Sequence, residues 1–223
     1  MTDYTVRPIY AVDLESIAGR CWDDRATQLR LLARQEVLGF GAWDARGLNV
    51  ATLHCYGVEL PDWDDTDFPG YGRAQLKDWP LGWPLLAARA KGLAFDGPVW
   101  GLACFHVGIL PTAFDPDPAY FRQGIGTALL EAAVAWARER GYAAVIGHGG
   151  TKAVPVYNVM QGSLPWTSYA KLGFETAALE EDGERLPWWV EAKGEEIKAA
   201  VERALAAGAT VSDIAARLMV LRL

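Results

Sequence analysis

The chain has 223 residues, 51% of them hydrophobic, and a formal net charge of -7. That is enough for one large domain or a domain with an appendage, and the acidic balance argues against nucleic acid as the main partner, since such binders carry a basic face. Three cysteines without paired spacing point to reduced thiols and a cytoplasmic setting; the polar start MTDYTVRPIY does not read as a signal peptide, and no apolar run nears the roughly 18 residues that span a bilayer.

In chain order, YTVRPI (4–9) reads as a short strand. Residues 11–38 carry one or two helices, with Leu29, Leu32 and, a turn later, Glu36 and Val37 as a partly buried stripe. Residues 39–60 form a hairpin turning at Asp44-Ala45-Arg46-Gly47. From 61 to 97 the texture shifts to Pro, Gly, Asp and Trp, an irregular insertion with a short helix near 84–93. The apolar run PVWGLACFHVGIL (98–110) is a strand buried on both faces, followed by a proline-rich loop. A helix runs from about Thr127 to Arg140. Leu130, Val134 and Ala137 share one of its faces, Leu129, Ala133 and Trp136 lie beside it, and Gly141 ends it. YAAVIGH (142–148) is the next strand. Strand, glycine turn, helix, strand is a βαβ unit with parallel strands and a right-handed crossover. Residues 151–165 read as a loop, 166–172 as a short helix ended by Gly173, 174–179 as a strand, 180–184 as a turn and 185–190 as a last strand. The tail, 191–223, reads as two helices around Gly208, the second opened by a capping-box-like Thr210 and Asp213. This tail is a packing or dimer-forming appendage. It resembles half of a helix-turn-helix, but without room for a recognition helix no DNA reading is expected.

Gly124 and Gly126 at the mouth of a helix suggest that an anion approaches the backbone. A Walker A loop needs Lys-Ser/Thr after its last glycine, and here Thr127-Ala128 follow. A dinucleotide fingerprint needs Gly or Ala where Leu129 stands. RQGIGTALLEAAVAWARERGYAAV instead resembles the acyl-CoA-binding motif of the Gcn5-related N-acetyltransferase (GNAT) family, whose turn holds the CoA pyrophosphate on backbone N–H groups. SYAKLGFETAAL is similar to that family's ending, a short helix with a Tyr four residues before Gly-Phe. Tyr169, Gly173 and Phe174 occupy those places. VWGLACFHV is similar to the strand that splays to admit the pantetheine arm. The family's leading Arg/Gln falls on Phe121, with Arg122 next to it. Its Asn seven residues before the Tyr falls on Gly162, and the nearest candidate is Asn158.

The resemblance implies an α/β fold, a central mixed sheet flanked by helices, over residues 1–190, with 191–223 as the helical appendage. It implies transfer of an acetyl group from acetyl-CoA to a primary amine, of a small molecule or a peptide, by direct attack. The alternative is a non-catalytic acyl-CoA-binding or regulatory module. Arg122, Gln123, Gly124, Ile125, Gly126 and Thr127 would hold the cofactor's phosphates. The backbone of Phe105, His106 and Val107 would face the thioester, and Tyr169 would protonate the departing thiolate. The strand carries no carboxylate to act as base. His106 and His148 have suitable ordinary pKa values, and each equally reads as a structural histidine. Asp62, Asp64 and Asp65, beside Trp63 and Phe68, are either a solvated acidic loop or a lid that attracts a cationic amine. No Cys/His spacing suggests a metal.

Overall fold

The computed structural model describes residues 3–17, 25–58, 88, 91–111, 115–179 and 184–223. Among them, eight strands form one mixed sheet. The first four are β1 (Tyr4–Ile9), β2 (Gly39–Asp44), β3 (Asn49–Val58) and β4 (Val99–Val107), an antiparallel meander. The hairpin turn is held as its sequence implies: the Asp44 carboxylate accepts the N–H groups of Arg46 and Leu48 at 2.9 and 3.0 Å. Helix α1 (Arg25–Gln35) precedes β2. Its buried face is rotated from the predicted stripe: Gln28 and Leu31 are buried, and Leu29 is 47% exposed. Gln35 shares the buried face and sets that rotation, donating to the Cys55 carbonyl at 2.7 Å and accepting the Gly57 N–H at 2.9 Å.

Helix α2 (Ile125–Glu139) crosses from β4 to β5 (Ala144–Gly150), and these two strands pair in parallel, as the βαβ reading requires. The helix buries Leu129, Leu130, Ala133, Val134 and Ala137 against Leu53, Trp100, Leu102 and Val145 of the sheet. The opposite face packs Ile9, Leu31, Tyr56, Ile146, Leu218 and Val220. The two faces explain why β4 and β5 read as continuous apolar runs.

Three expectations are corrected. Residues 155–161, read as a loop, form helix α3 (Pro155–Gln161), begun by a proline at its first position and closed by Gly162 at φ 60°. Its valines and proline hid the helical period. Residues 185–190, read as the last strand, lead instead into a helical turn, α5 (Trp189–Ala192), which follows α4 (Trp166–Ala170) and β7 (Glu175–Leu179). The tail does hold helices, α6 (Glu195–Ala206) and α7 (Val211–Ile214), and the Thr210–Asp213 capping box is present. Its final residues, however, are strand β8 (Arg217–Arg222), inserted between β5 and β7. Ile214, Leu218 and Leu221 repeat at helical spacing, which disguised a six-residue strand.

Residues 217–222 are therefore part of the sheet. Leu218, Met219, Val220 and Leu221 are buried, together worth about 6–12 kcal/mol, the scale of a whole domain's stability. Truncation after Ala216 is expected to abolish the cooperative thermal transition. A truncated protein with an unchanged melting temperature would contradict this placement.

Candidate active site

The site begins where two strands part. The β4–β5 ladder runs from Val99–Ala144 to Leu102–Gly147 and stops. Beyond it, β5 pairs with the short β6 (Leu164–Pro165) through Gly149 and Gly150. On the other branch, Leu53 faces Phe105 while Cys55 faces Leu102. β4 thus carries one extra residue, a β-bulge at Ala103–Cys104. The bulge reverses the alternation. Val99 and Ala103 pack on the face opposite α2, but Phe105 packs on the α2 face, so His106, paired with Thr52, turns to the face opposite α2.

The fork also decides which backbone groups are offered. Gly108 donates its N–H to Val50 of β3 at 2.8 Å, so alternation turns the Val107 N–H the other way, into the fork. Phe105 points the same way, but its N–H is committed to the Gly162 carbonyl at 2.7 Å. Of the three expected backbone contacts, Val107 is the one whose amide faces the opening.

A cavity of about 550 Å³ connects this branch to the glycine turn. Its wall is mainly apolar: Val107, Ile109, Phe121, Val156, Val159 and Leu164 contribute. At the turn, Gly124 has φ 81° and supplies no side chain to cap α2. The first bond closing the helix runs from Ala128 to Gly124 at 3.0 Å, so the N–H groups of Ile125, Gly126 and Thr127 have no partner within the helix. All three residues line the cavity, with Arg122 and Lys152 as its cations, and none of the described lining residues is acidic. In a chain of net charge -7, that is a site shaped for an apolar arm with an anionic end. A Cβ on Gly126 would lie 2.5 Å from Leu164, in the cavity wall. Gln123 is not among the lining residues; its amide donates to the Ala119 carbonyl.

Asn158, the nearest candidate for the family's Asn, is joined here by Ser163, which no motif singles out. Both line the cavity, and the Asn158 Oδ1 and Ser163 Oγ atoms are buried without a hydrogen-bond partner among the described residues. Both atoms lie against Gly150, where a Cβ would collide with each of them. The signal missed in the sequence was the helix itself, which turns Asn158 inward.

On the opposite face, His148 pairs with Leu218 and so shares a face with His54 and His106. All three histidines thus lie on one side of three neighbouring strands. The His54 and His106 rings are 5.7 Å apart at 66°. His106 lines the cavity and His148 does not. Tyr169 is buried at the crotch of the fork, edge-on to Phe105 and Phe174 at 6.3 and 5.2 Å. A Cβ on Gly147 would lie 2.6 Å from its ring, so glycine there makes room for the phenol. Burial pushes the Tyr169 hydroxyl well above the usual range, and it stays protonated. Asp62, Asp64 and Asp65 lie outside the described residues.

Burial lowers the His148 imidazole from 6.5 to about 4. Because the folded value lies below the unfolded one, the neutral ring's contribution to stability is complete above about pH 6.5 and is lost as pH falls toward 4. The His148 ring protons are expected to titrate by NMR near pH 4, and His148→Gln is expected to flatten stability across that interval. A midpoint at the ordinary value would contradict the burial.

Among the described residues no helix is long and apolar enough to cross a membrane, and no group of three or more His, Cys, Asp or Glu is placed to hold a metal ion. No curated protein matches the chain. The fold is shared with solved structures at low identity. A mosquito arylalkylamine N-acetyltransferase like 5b aligns at 14% identity and TM-score 0.51, covering 99% of this chain and 100% of that one. The Drosophila melanogaster polyamine N-acetyltransferase aligns at 14% and 0.50, covering 99% and 100%. Arabidopsis thaliana NAA60 in complex with acetyl-CoA aligns at 13% and 0.50, again covering 99% and 100%. A family model, Acetyltransferase (GNAT) family, matches residues 23–162, well over half of the sequence. The chain belongs to the GNAT acetyltransferase family.

Proposed function

We propose that the protein transfers an acetyl group from acetyl-CoA to a primary amine. The observation that carries this reading is a single cavity with two different ends: the uncapped α2 N-terminus at one, the inward-facing Val107 amide at the other. Between them the apolar wall suits a pantetheine arm. Asn158, a polar residue in that wall, would lie beside the amides of the arm. Arg122, Gly124, Ile125, Gly126 and Thr127 would hold the phosphates.

The bound thioester supplies an activated acyl carbon and a thiolate leaving group. The chain's residues would do the rest. His106, which lines the cavity on the histidine face, takes the proton that the attacking amine must lose, so that its lone pair is free. His148, held neutral and weakly basic, fits that task less well. The Val107 N–H supports the negative charge that gathers on the carbonyl oxygen. Tyr169 stays protonated, but its acidity is too low to hand a proton fully to a thiolate whose conjugate acid has a pKa of about 8.5. Its role is a hydrogen bond that eases departure of the sulfur, the proton following from solvent. Orientation of two substrates supplies most of the acceleration.

We further propose a cationic acceptor. Asp62, Asp64, Asp65 and Asp67, next to Trp63 and Phe68 in the sequence, would attract an ammonium ion by charge and by aromatic faces.

A screen of acetyl-CoA-dependent thiol release over polyamines, arylalkylamines, amino acids and peptides tests the reading. Release is expected with at least one cationic amine, with KM rising as salt rises. His106→Gln is expected to lower kcat by roughly 10²–10⁴-fold while CoA still binds. Tyr169→Phe is expected to cost less, about tenfold, the strength of one hydrogen bond to a charged group. CoA binding without turnover on any amine would favour the non-catalytic acyl-CoA module.

A further inference from the structure

The described part of the segment between β7 and β8, residues 184–216, lies outside the 23–162 stretch matched by the family, yet it packs against helix α3 and the turn before it, which form one side of the cavity wall. Helix α3 supplies Pro155, Val156, Asn158 and Val159 to the wall. Seven residues are too few to hold a helix without tertiary support. That support comes from the inserted helices. The Tyr157 ring stacks on Trp189 at 3.7 Å between centroids and 12° between planes, and Trp189 is fully buried. Val154, Val190, Ile197, Val201 and Ile214 close around the pair.

A second set of contacts orients the polar wall. The Asp213 carbonyl, in α7, accepts from the Lys152 N–H at 3.0 Å, the Ala153 N–H at 3.3 Å and the Thr151 hydroxyl at 3.0 Å. The Thr151 oxygen in turn accepts the N–H groups of Ala153 and Val154 at 3.1 and 3.2 Å. The Thr151 carbonyl accepts Asn158 Nδ2 at 2.7 Å. That last bond fixes which way the amide is turned: Nδ2 is committed to the Thr151 carbonyl, and Oδ1 lies against Gly150.

We propose that the α5–α7 insert is part of the acyl-CoA site. Trp189, in the insert, and Thr151, which donates to the insert's Asp213 carbonyl, are positioning residues, acting through Tyr157 and Asn158. Neither touches the ligand. They keep α3 seated and the Asn158 carboxamide turned, so the cost of ordering the wall is met before CoA arrives. The inference rests on the acyl-CoA reading of the cavity.

The test is titration calorimetry of the full-length protein with CoA, beside steady-state thiol release. Trp189→Ala is expected to weaken CoA binding roughly tenfold, equivalent to about 1.4 kcal/mol, and Trp189→Phe to restore most of it. Thr151→Val removes one hydroxyl while keeping the side-chain shape, and is expected to act in the same direction. Both should raise KM for acetyl-CoA while kcat and the amine KM stay within about twofold, a split that general destabilisation would not give. If Trp189→Ala does not fold, as judged by circular dichroism, Thr151→Val decides. Wild-type protein that binds CoA, with folded variants that bind it equally well, overturns the inference alone. Variants that lose kcat at unchanged CoA affinity also overturn it. Wild-type protein that does not bind CoA overturns the acyl-CoA reading and this inference with it.

Discussion

Everything at the site follows from the parting of β4 and β5 after Leu102–Gly147. A sheet cannot simply open, because each exposed backbone group needs a new partner. The fold provides these one by one. Gly162 takes the Phe105 N–H, β6 takes the end of β5, and the β4 bulge keeps that strand on β3. What remains is a narrow gap with the Val107 amide facing it. Gly147 leaves the space that Tyr169 fills, so the crotch of the fork is plugged by an aromatic ring rather than a void.

The gap joins two unlike environments. On the α2 side lie the apolar wall, the helix N-terminus, Arg122 and Lys152, with no acidic lining residue among those described. On the other side lie His54, His106 and His148, on three adjacent strands. An anionic, long-armed donor fits the first side, and a group that must give up a proton fits the second. The bulge is what gives His106 to the histidine face, since unbroken alternation would have turned it toward α2. One extra residue in a strand thereby settles which face of the sheet His106 takes.

The βαβ unit was legible because its signals are local: a glycine turn, a strong amphipathic helix and two apolar runs. The hairpin turn at Asp44–Gly47 and the Thr210–Asp213 capping box were legible for the same reason. The other features depend on contacts distant in sequence. Strand β8 has a helix-like apolar spacing and becomes a strand because a slot between β5 and β7 accepts it. Helix α3 has Pro and β-branched residues and becomes helical because Trp189 and its neighbours hold it. The face taken by His106 depends on a bulge that no pattern within β4 announces. At the site, the glycine turn and Asn158 could be found from the family's motifs, while Ser163 and the ring contact of His54 with His106 could be found only after the chain was folded.

The most direct measurement is a CoA titration followed through backbone amide resonances. The account requires the largest shifts at Val107, Ile125, Gly126 and Thr127, at opposite ends of one cavity and at a single saturating concentration, with the β1–β2 edge unmoved. Shifts confined to another surface, or no saturable change at any amide, would contradict it.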